Sequence, residues 1–310
     1  MKQNYDVVIL GAGPAGLSAG IYTSRAMLKT LILDKGMPGG QILLTDVIEN
    51  YPGFPDGIQA FSLADKFKSQ ALKFGCEINQ EEIENIRREG NIWIIQTSVK
   101  KYSARSVVLA TGSSHRKLDV PGETQLTGKG VSYCATCDGA FFRDKSVAVI
   151  GGGSYALTEA LFLTKFAKKV YIIHRRDQFR AEKLLQERSR KNKKIEFKLN
   201  SIVKEIIGEE RVKAVKIVNT KNKSELEIKI DGLFVSIGMV PNTDFVNNLV
   251  ELNEKGEIIV NKKTATSQEG VFAAGDVTNT CSNQVATAAG AGVEAGLSVN
   301  EYIEKNKLNA

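Results

Sequence analysis

The sequence is poor in the residue types that would indicate several common classes of protein. Its 310 residues contain two histidines, four cysteines, six prolines and one tryptophan. Four cysteines, of which only two are close together, do not make the disulfide framework of a small secreted domain. The apolar runs, such as Val107–Ala110, have the length of strands and fall far short of the roughly 20 residues that a membrane span needs. We therefore expect neither a disulfide-stapled fold nor a membrane protein.

The first residues also lack the features of a signal peptide. A buried-strand pattern begins almost at once, at Tyr5, without a basic region, a long apolar stretch or a small-residue cleavage site before it. We therefore expect a cytoplasmic protein. In a reducing compartment a Cys-x-x-Cys pair is catalytic or metal-binding rather than structural.

The charge is unevenly distributed. The formal net charge is +7, and residues 165–198 hold 13 Lys or Arg against 4 Asp or Glu, an excess larger than that of the whole chain. This stretch can be a solvated helix face, or it can attract an anionic cofactor or an acidic protein partner. Aromatic residues are not interleaved with the basic ones as stacking platforms, so we do not expect nucleic-acid binding.

A glycine-rich turn near the amino terminus predicts a dinucleotide site. Gly11-Ala12-Gly13-Pro14-Ala15-Gly16 follows a strand and precedes a helix predicted from Leu17 to about Arg25, and the next strand ends at Asp34. In such a unit the first glycine permits a tight turn, the second admits a pyrophosphate and the third lets helix and strand pack. An acid at the end of the second strand accepts hydrogen bonds from a ribose diol, which suits FAD or NAD.

The same pattern occurs a second time. The strand Ser146–Ile150 leads into Gly151-Gly152-Gly153-Ser154-Tyr155-Ala156, and a helix is predicted from Leu157 to Phe166. The following strand ends at His174-Arg175-Arg176, at the same offset from its first glycine as Asp34 has from Gly11. Arginines bind a 2′-phosphate that an acid would repel, so this site suits NADP.

The order of these patterns predicts two domains, one inserted into the other. A chain of this length is long enough to form two domains, each with its own core. Clusters of helix- and strand-breaking residues at 111–114 and 238–242 are candidate hinges. Tandem strands beyond Ile195 complete the second domain. We predict an α/β fold with two Rossmann-like domains of the three-layer ββα type, the first formed by residues 1–112 and 245–310 and the second by 113–244.

A Cys-x-x-Cys pair just before the second turn predicts redox chemistry. Cys134 and Cys137 can lie in one helical turn and close a disulfide, and at a helix start the thiolate is favoured. Asp138 is the candidate for proton transfer beside them. The alternative is half of a zinc site, but the chain has no second Cys or His pair to complete four ligands. Cys76 and Cys281 are expected to be small buried residues.

With these motifs in place, nearly the whole chain resembles the low-molecular-weight bacterial thioredoxin reductases. The resemblance rests on the first glycine turn, on Ala110-Thr111-Gly112, on the string Cys134-Ala135-Thr136-Cys137-Asp138, on residues 174–180 and on residues 270–276. It implies an FAD domain from both ends of the chain, an inserted NADPH domain that carries the dithiol and rotates between half-reactions, and a homodimer.

The resemblance also implies roles for individual residues. Cys137 would exchange electrons with the flavin, Cys134 would attack the partner disulfide and Asp138 would be the acid/base. The implied FAD residues are Gly11, Gly13, Pro14, Ala15, Gly16, Asp34, Gln41, Asn50, Thr111, Gly112, Gly275, Asp276, Gln284 and Val285. The implied NADPH residues are Gly151, Gly153, Ser154, His174, Arg175, Arg176 and Arg180.

The expected function is a thioredoxin-disulfide reductase that passes electrons from NADPH to FAD, then to the Cys134–Cys137 disulfide and then to a thioredoxin-like protein. Tyr155, at a helix start where it would crowd a pyrophosphate, motivates an alternative in which ferredoxin is the electron donor. Two further alternatives are a flavin-bearing relay with a regulatory dithiol and a dithiol oxidase that uses O₂.

Overall fold

The chain folds as two compact units. The computed structural model describes residues 3–44, 47–48, 50–246 and 248–308, and within them it leaves undescribed the side chains of Gln3, Leu44, Cys137, Lys307 and Leu308. The discontinuous unit runs up to Ser114 and resumes at Val240, and the inserted unit comprises His115–Met239. The predicted α/β class, with one Rossmann-like domain inserted into another, is confirmed.

Both units contain strands and helices. The strands are β1 Gln3–Leu10, β2 Thr30–Asp34, β3 Val47–Ile48, β4 Ile58–Gln59, β5 Glu77–Gln80, β6 Ile83–Glu89, β7 Ile92–Thr97, β8 Lys101–Leu109, β9 Ser113–His115, β10 Val131–Ser132, β11 Ser146–Ile150, β12 Lys169–Ile173, β13 Ile195–Lys198, β14 Ser201–Gly208, β15 Val212–Asn219, β16 Glu225–Lys229, β17 Gly232–Val235, β18 Met239–Pro241 and β19 Val271–Ala273. The α-helices are α1 Pro14–Arg25, α2 Ala60–Lys73, α3 Glu123–Leu126, α4 Ala135–Asp138, α5 Ser154–Leu163, α6 Lys183–Lys191 and α7 Val285–Leu308.

The discontinuous unit is built on one mixed sheet. Its order is β5-β2-β1-β8-β7-β6, with β19 parallel to the last part of β8. Alternate residues of β1 face opposite sides: Val7 and Ile9 join the cluster formed with α1 and α7, whereas Val8 and Leu10 join the cluster on the other face. A strand buried on both faces is apolar without alternation, as Val7–Leu10 of β1 are.

The inserted unit has a parallel sheet and a separate meander. The parallel sheet has the order β10-β17-β11-β12-β13, and β14, β15 and β16 form an antiparallel layer. Both features follow the predicted pattern of a strand-helix-strand unit followed by tandem strands. No helix among the described residues is long and apolar enough to cross a membrane.

The boundaries between the units differ from the predicted ones at both crossings. The prediction assigns residues 113–114 and 240–244 to the inserted domain, whereas they belong to the discontinuous unit. Asn242 explains this, because its backbone and its side-chain amide hydrogen-bond to Thr111 and Gly112 and its amide oxygen accepts the Ser114 hydroxyl. The chain therefore leaves and re-enters this unit through segments that are hydrogen-bonded to each other.

Both fingerprint helices begin three residues earlier than predicted. α1 begins at Pro14 and α5 at Ser154. Each glycine turn ends at the residue before its helix, which is Gly13 in the first motif and Gly153 in the second. α5 also ends at Leu163 instead of Phe166. The sequence patterns did not reveal α2, although its buried residues Ala60, Leu63, Ala64 and Ala71 follow helical spacing, at i, i+3, i+4 and i+11.

Candidate redox and dinucleotide sites

The first glycine turn is crowded on one side and open on the other. Gly11 has a φ of +110°, and a Cβ there would lie 2.2 Å from the carbonyl oxygen of Ala110. A Cβ on Gly16 would lie 1.8 Å from the Gly11 oxygen, so α1 packs directly on the turn. A Cβ on Gly13 would meet no described atom within 4 Å. Gly13 precedes α1, so its open side faces the uncapped helix start, where a pyrophosphate fits.

Asp34 closes this turn from the end of β2. One carboxylate oxygen accepts the backbone N–H of Ala12 at 2.6 Å, and the other accepts that of Gly36 at 2.8 Å. The acid therefore fixes the turn as well as offering its remaining lone pairs to a ligand. A carboxylate accepts about four hydrogen bonds, so a ribose diol is still compatible with this geometry.

Three chain segments meet at the same edge of the sheet. Leu109 of β8 pairs with Leu10 of β1 on one side and with Ala273 of β19 on the other. The predicted residues that follow these strands, Thr111 with Gly112 and Gly275 with Asp276, therefore lie beside the first turn. Ligands bind at the carboxyl ends of strands in such sheets. The backbone at Gly275 also packs closely on α1, because a Cβ on Gly275 would lie 2.8 Å from that of Ala15.

Asp276 has a neighbour that the sequence analysis missed. Cys281, expected to be a buried apolar residue, is half-buried and donates its thiol to a carboxylate oxygen of Asp276 at 3.2 Å. Burial raises the pKa of Asp276, and the hydrogen bond from Cys281 opposes this. Cys76 does fit the expectation: it is buried, and burial raises its thiol pKa to about 12.

The remaining predicted FAD residues come from distant parts of the chain. The side-chain amide of Asn50 donates to that of Gln284 at 2.9 Å, and Gln41 donates to the backbone oxygen of Ser113 at 2.9 Å. Val285 begins α7 and packs against the small cluster that contains Ile42. The structure thus brings together one pair of the predicted positions, Asn50 and Gln284, and places Val285 at a helix start.

The second glycine turn repeats the open and crowded sides of the first. A Cβ on Gly151 would lie 2.3 Å from the backbone oxygen of Ser236, and one on Gly152 would strike the ring of His174. A Cβ on Gly153 would meet no described atom within 4 Å. Gly153 precedes α5, which has no side-chain cap, so this helix start is also open to an anion.

The predicted NADPH residues after β12 divide into one buried ring and three exposed cations. His174 is buried, lies over Gly152, stacks on Phe179 and has one ring nitrogen 3.1 Å from the Gln178 oxygen. Burial lowers its pKa, and we place it as a packing residue of the turn. Arg175, Arg176 and Arg180 are exposed, and the backbone N–H of Arg180 donates to the Gly152 oxygen.

The side chains of Ser154 and Tyr155 interact with other residues of the inserted unit. The Ser154 hydroxyl accepts the backbone N–H of Glu182 at 3.1 Å. The Tyr155 hydroxyl is directed at Glu159, one helical turn further on, and its ring centroid lies 6.0 Å from that of His115. The crowding that we expected from Tyr155 is not seen at Gly153, whose outer side remains open.

The redox motif forms the short helix α4 in the inserted unit. Cys134 is buried and disulfide-bonded, whereas Cys76 and Cys281 are free thiols. The side chain of Cys137 lies outside the described part of the structure, so the predicted Cys134–Cys137 pairing stays a prediction. Asp138 is half-buried, and its backbone N–H donates to the Cys134 oxygen at 3.2 Å.

One residue in contact with this helix was not predicted. Glu159 of α5 is buried, and it accepts the backbone N–H of Ala135 at 2.8 Å. A single charge in the apolar run from Ala156 to Leu163 was the signal that could have found it. For the zinc alternative, the described residues contain no group of three or more His, Cys, Asp or Glu that could hold a metal ion.

Comparison with known proteins agrees with this geometry. The family model of the pyridine nucleotide-disulphide oxidoreductases matches residues 5–294. The chain is 45% identical over 305 residues to a thioredoxin reductase of Bacillus subtilis (98% of this chain, 96% of the relative) and 44% identical over 307 residues to one of Listeria innocua (99% and 96%). The crystal structure of Lactococcus lactis thioredoxin reductase superposes with a TM-score of 0.94 at 40% identity, covering 97% of this chain and 99% of that one. The chain therefore belongs to the pyridine nucleotide-disulphide oxidoreductases and, within them, to the thioredoxin reductase family.

Proposed function

We propose that this protein is an NADPH-dependent thioredoxin-disulfide reductase that carries FAD. The observation that supports this most directly is the position of Cys134, immediately before a short helix that is tied through Ala135 to α5, the helix that begins at the second glycine turn. A disulfide-bonded cysteine thus belongs to the same folded unit as a nucleotide turn flanked by arginines.

The two turns divide the nucleotides between the units. Gly13 with Asp34 would hold the pyrophosphate and ribose of FAD, and Gly153 would admit the pyrophosphate of NADPH. Arg175, Arg176 and Arg180 would bind the 2′-phosphate, because guanidinium groups recognise phosphate bidentately. When bound, these nucleotides supply the hydride and electron transfer that reduces the disulfide.

The protein's own residues would then carry out thiol–disulfide exchange. The thiolate of Cys134 attacks one sulfur of the thioredoxin disulfide and forms a mixed disulfide, and the other thioredoxin sulfur leaves as a thiolate. Cys137 attacks Cys134, which releases reduced thioredoxin and restores the internal disulfide. Asp138 would accept and return the protons that these steps require.

Anaerobic titration of the purified flavoprotein tests the proposal. Addition of NADPH should bleach the flavin absorbance near stoichiometry, and addition of oxidised thioredoxin should restore it. Cys134→Ser and Cys137→Ser should abolish the thioredoxin-dependent step. A wild-type flavin that is bleached by reduced ferredoxin but not by NADPH would favour the ferredoxin alternative.

Two further properties belong to this proposal. We infer a cytoplasmic enzyme, since a reversible dithiol is useful in a reducing compartment, and a homodimer. Light scattering during gel filtration measures the mass directly, and a monomer mass at working concentrations would contradict the second inference.

A further inference from the structure

The inserted unit contains a buried carboxylate that the proposed mechanism does not use. Glu159 is 5% exposed and lies in α5. Its oxygens accept the backbone N–H of Ala135 at 2.8 Å and the hydroxyl of Ser236, which follows β17. The Tyr155 hydroxyl is directed at the same carboxylate. Three donors from three parts of the unit therefore converge on one side chain.

These donors are all formally neutral. Within the chain segments that the structure describes, no lysine or arginine forms an ion pair with Glu159. Burial raises the pKa of Glu159 and outweighs the hydrogen bonds from Ser236, Ala135 and Tyr155, which lower it. Titratable groups near it are Tyr155 on its own helix, Cys134, which adjoins Ala135, and His115, which packs on the Tyr155 ring.

The contact with Ala135 connects this carboxylate to the dithiol. Ala135 is bonded to Cys134 and is the first residue of α4. The backbone N–H of Cys134 donates to the Ser132 hydroxyl at 3.0 Å, and its sulfur lies 3.3 Å from the Thr136 hydroxyl. The hydroxyls of Ser132 and Thr136 therefore lie beside Cys134, and Glu159 brings a carboxylate to the adjoining peptide.

We propose that Glu159 is a positioning residue of the dithiol: it holds the start of the redox helix at Ala135, and in its ionised form its charge makes the thiolate of Cys134 less favourable. A nearby like charge disfavours a second anion, and the effect is large where burial limits screening. The inference rests on the proposed function for its biological meaning. Its chemistry concerns only the protonation of Cys134, whose proton is released to water.

Glu159→Gln separates charge from structure, because the amide keeps an acceptor oxygen for Ala135 and loses the charge. The variant is made in a Cys137→Ser background, in which Cys134 is a free thiol without added reductant. The rate of alkylation by iodoacetamide is measured against pH in the purified flavoprotein, and mass spectrometry identifies the modified cysteine. Glu187→Gln, an exposed glutamate of the same unit, is the matched control.

We expect Glu159→Gln to lower the pH midpoint of alkylation and to raise the rate just below the wild-type midpoint by roughly 3- to 10-fold, since one pKa unit corresponds to a factor of ten. Glu187→Gln should leave the profile unchanged. A Glu159→Gln profile that coincides with that of the control, in protein that retains its flavin and its melting temperature, overturns the proposal.

A second variant decides the case in which Glu159→Gln does not fold. Tyr155→Phe removes one donor to the carboxylate at a side chain that is partly exposed, and it should shift the midpoint in the same direction by less. An unchanged midpoint in Tyr155→Phe would then count against the proposal. The alkylation assay uses neither NADPH nor thioredoxin, so a failure of the proposed function would appear separately, as wild-type protein that does not reduce thioredoxin.

Discussion

The two glycine turns have the same backbone design and are secured by different means. In the discontinuous unit a carboxylate, Asp34, accepts the N–H of Ala12 within the turn. In the inserted unit the turn is covered by the ring of His174, and its Gly152 oxygen accepts the N–H of Arg180. The third position also differs: Gly16 allows no side chain at all, whereas Ala156 holds this position in the second turn.

This difference shows which features the dinucleotide turn requires and which it leaves free. Both turns need glycines that face a neighbouring strand and a second glycine with an open outer side. The group that secures the turn differs, being the Asp34 carboxylate in the first turn and the His174 ring in the second. Because the turn accepts either group, the charge at this position can differ with the nucleotide. An acid that holds its own turn suits an unphosphorylated ribose, and a neutral ring that covers the turn leaves the nearby arginines free for a phosphate.

The largest effect is expected from exchanging the third positions of the two turns. Gly16→Ala places a Cβ 1.8 Å from the Gly11 oxygen, so α1 must move away from the turn. We expect overpacking to cost at least about 1–3 kcal/mol, with loss of bound flavin measured by absorbance after gel filtration. Ala156→Gly, the reverse change in the second turn, should cost about 1 kcal/mol and retain the flavin. Equal flavin contents would contradict the comparison.

The arginines test whether charge selects the second nucleotide. Arg175→Gln with Arg176→Gln should raise the KM for NADPH by roughly 10- to 100-fold, because each charge-assisted hydrogen bond contributes about 1.5–3 kcal/mol. The KM for NADH should change little. Arg188→Gln with Arg190→Gln, exposed on α6 in the same basic stretch, is the control for net charge. A loss of similar size for both nucleotides would assign the arginines a general electrostatic role.

Asp34 tests how the first turn is secured. Asp34→Asn leaves one acceptor oxygen for two backbone donors, those of Ala12 and Gly36. One unpaired donor should cost about 1–3 kcal/mol, measured as the free energy of unfolding in urea. Asp56→Asn, an exposed acid of the same unit, should cost nothing measurable. If both variants are equally stable, the carboxylate does not hold the turn.

The smallest effect concerns pH, and it belongs to the inserted unit, which contains both histidines. Burial lowers the pKa of His115 and of His174 below the ordinary value. The unfolded chain therefore takes up protons first, and stability is lost as pH falls from about 6.5. His174→Asn should be less stable at pH 7.5 than wild type but lose less on acidification, by under about 1 kcal/mol. The free energy of unfolding in urea is measured for both proteins across this pH range. If it changes equally with pH in the two proteins, this assignment is refuted.

Much of the candidate site followed from the sequence because its demands are local. A positive φ at Gly11 and a close approach at Gly16 need glycine whatever the rest of the fold, so the motif reveals the turn. The helix starts were placed late, since periodicity marks the first buried turn and the residues that begin α1 and α5 belong to the glycine motif. The short amphipathic helix α2 carried too few apolar residues to be recognised.

Other features were not predictable because they depend on partners far away in the chain. Asn50 meets Gln284 across 234 positions, and Asn242 determines where the discontinuous unit resumes through contacts with Thr111 and Gly112. Cys281 was misjudged for the same reason, because a cysteine is polar or apolar according to what lies beside it.

The sequence by itself determined two glycine turns, the opposite charges at the ends of the strands that follow them and a Cys-x-x-Cys pair before the second turn. Each of these depends on residues a few positions apart, whose backbone angles and charges act within one strand-helix-strand unit. Only the tertiary structure decided that Asp34 also closes its own turn, that His174 is buried as a lid on Gly152 and that Glu159 holds Ala135. Burial and hydrogen-bond partners arise where separate strands and helices meet, and that meeting is a property of the folded chain.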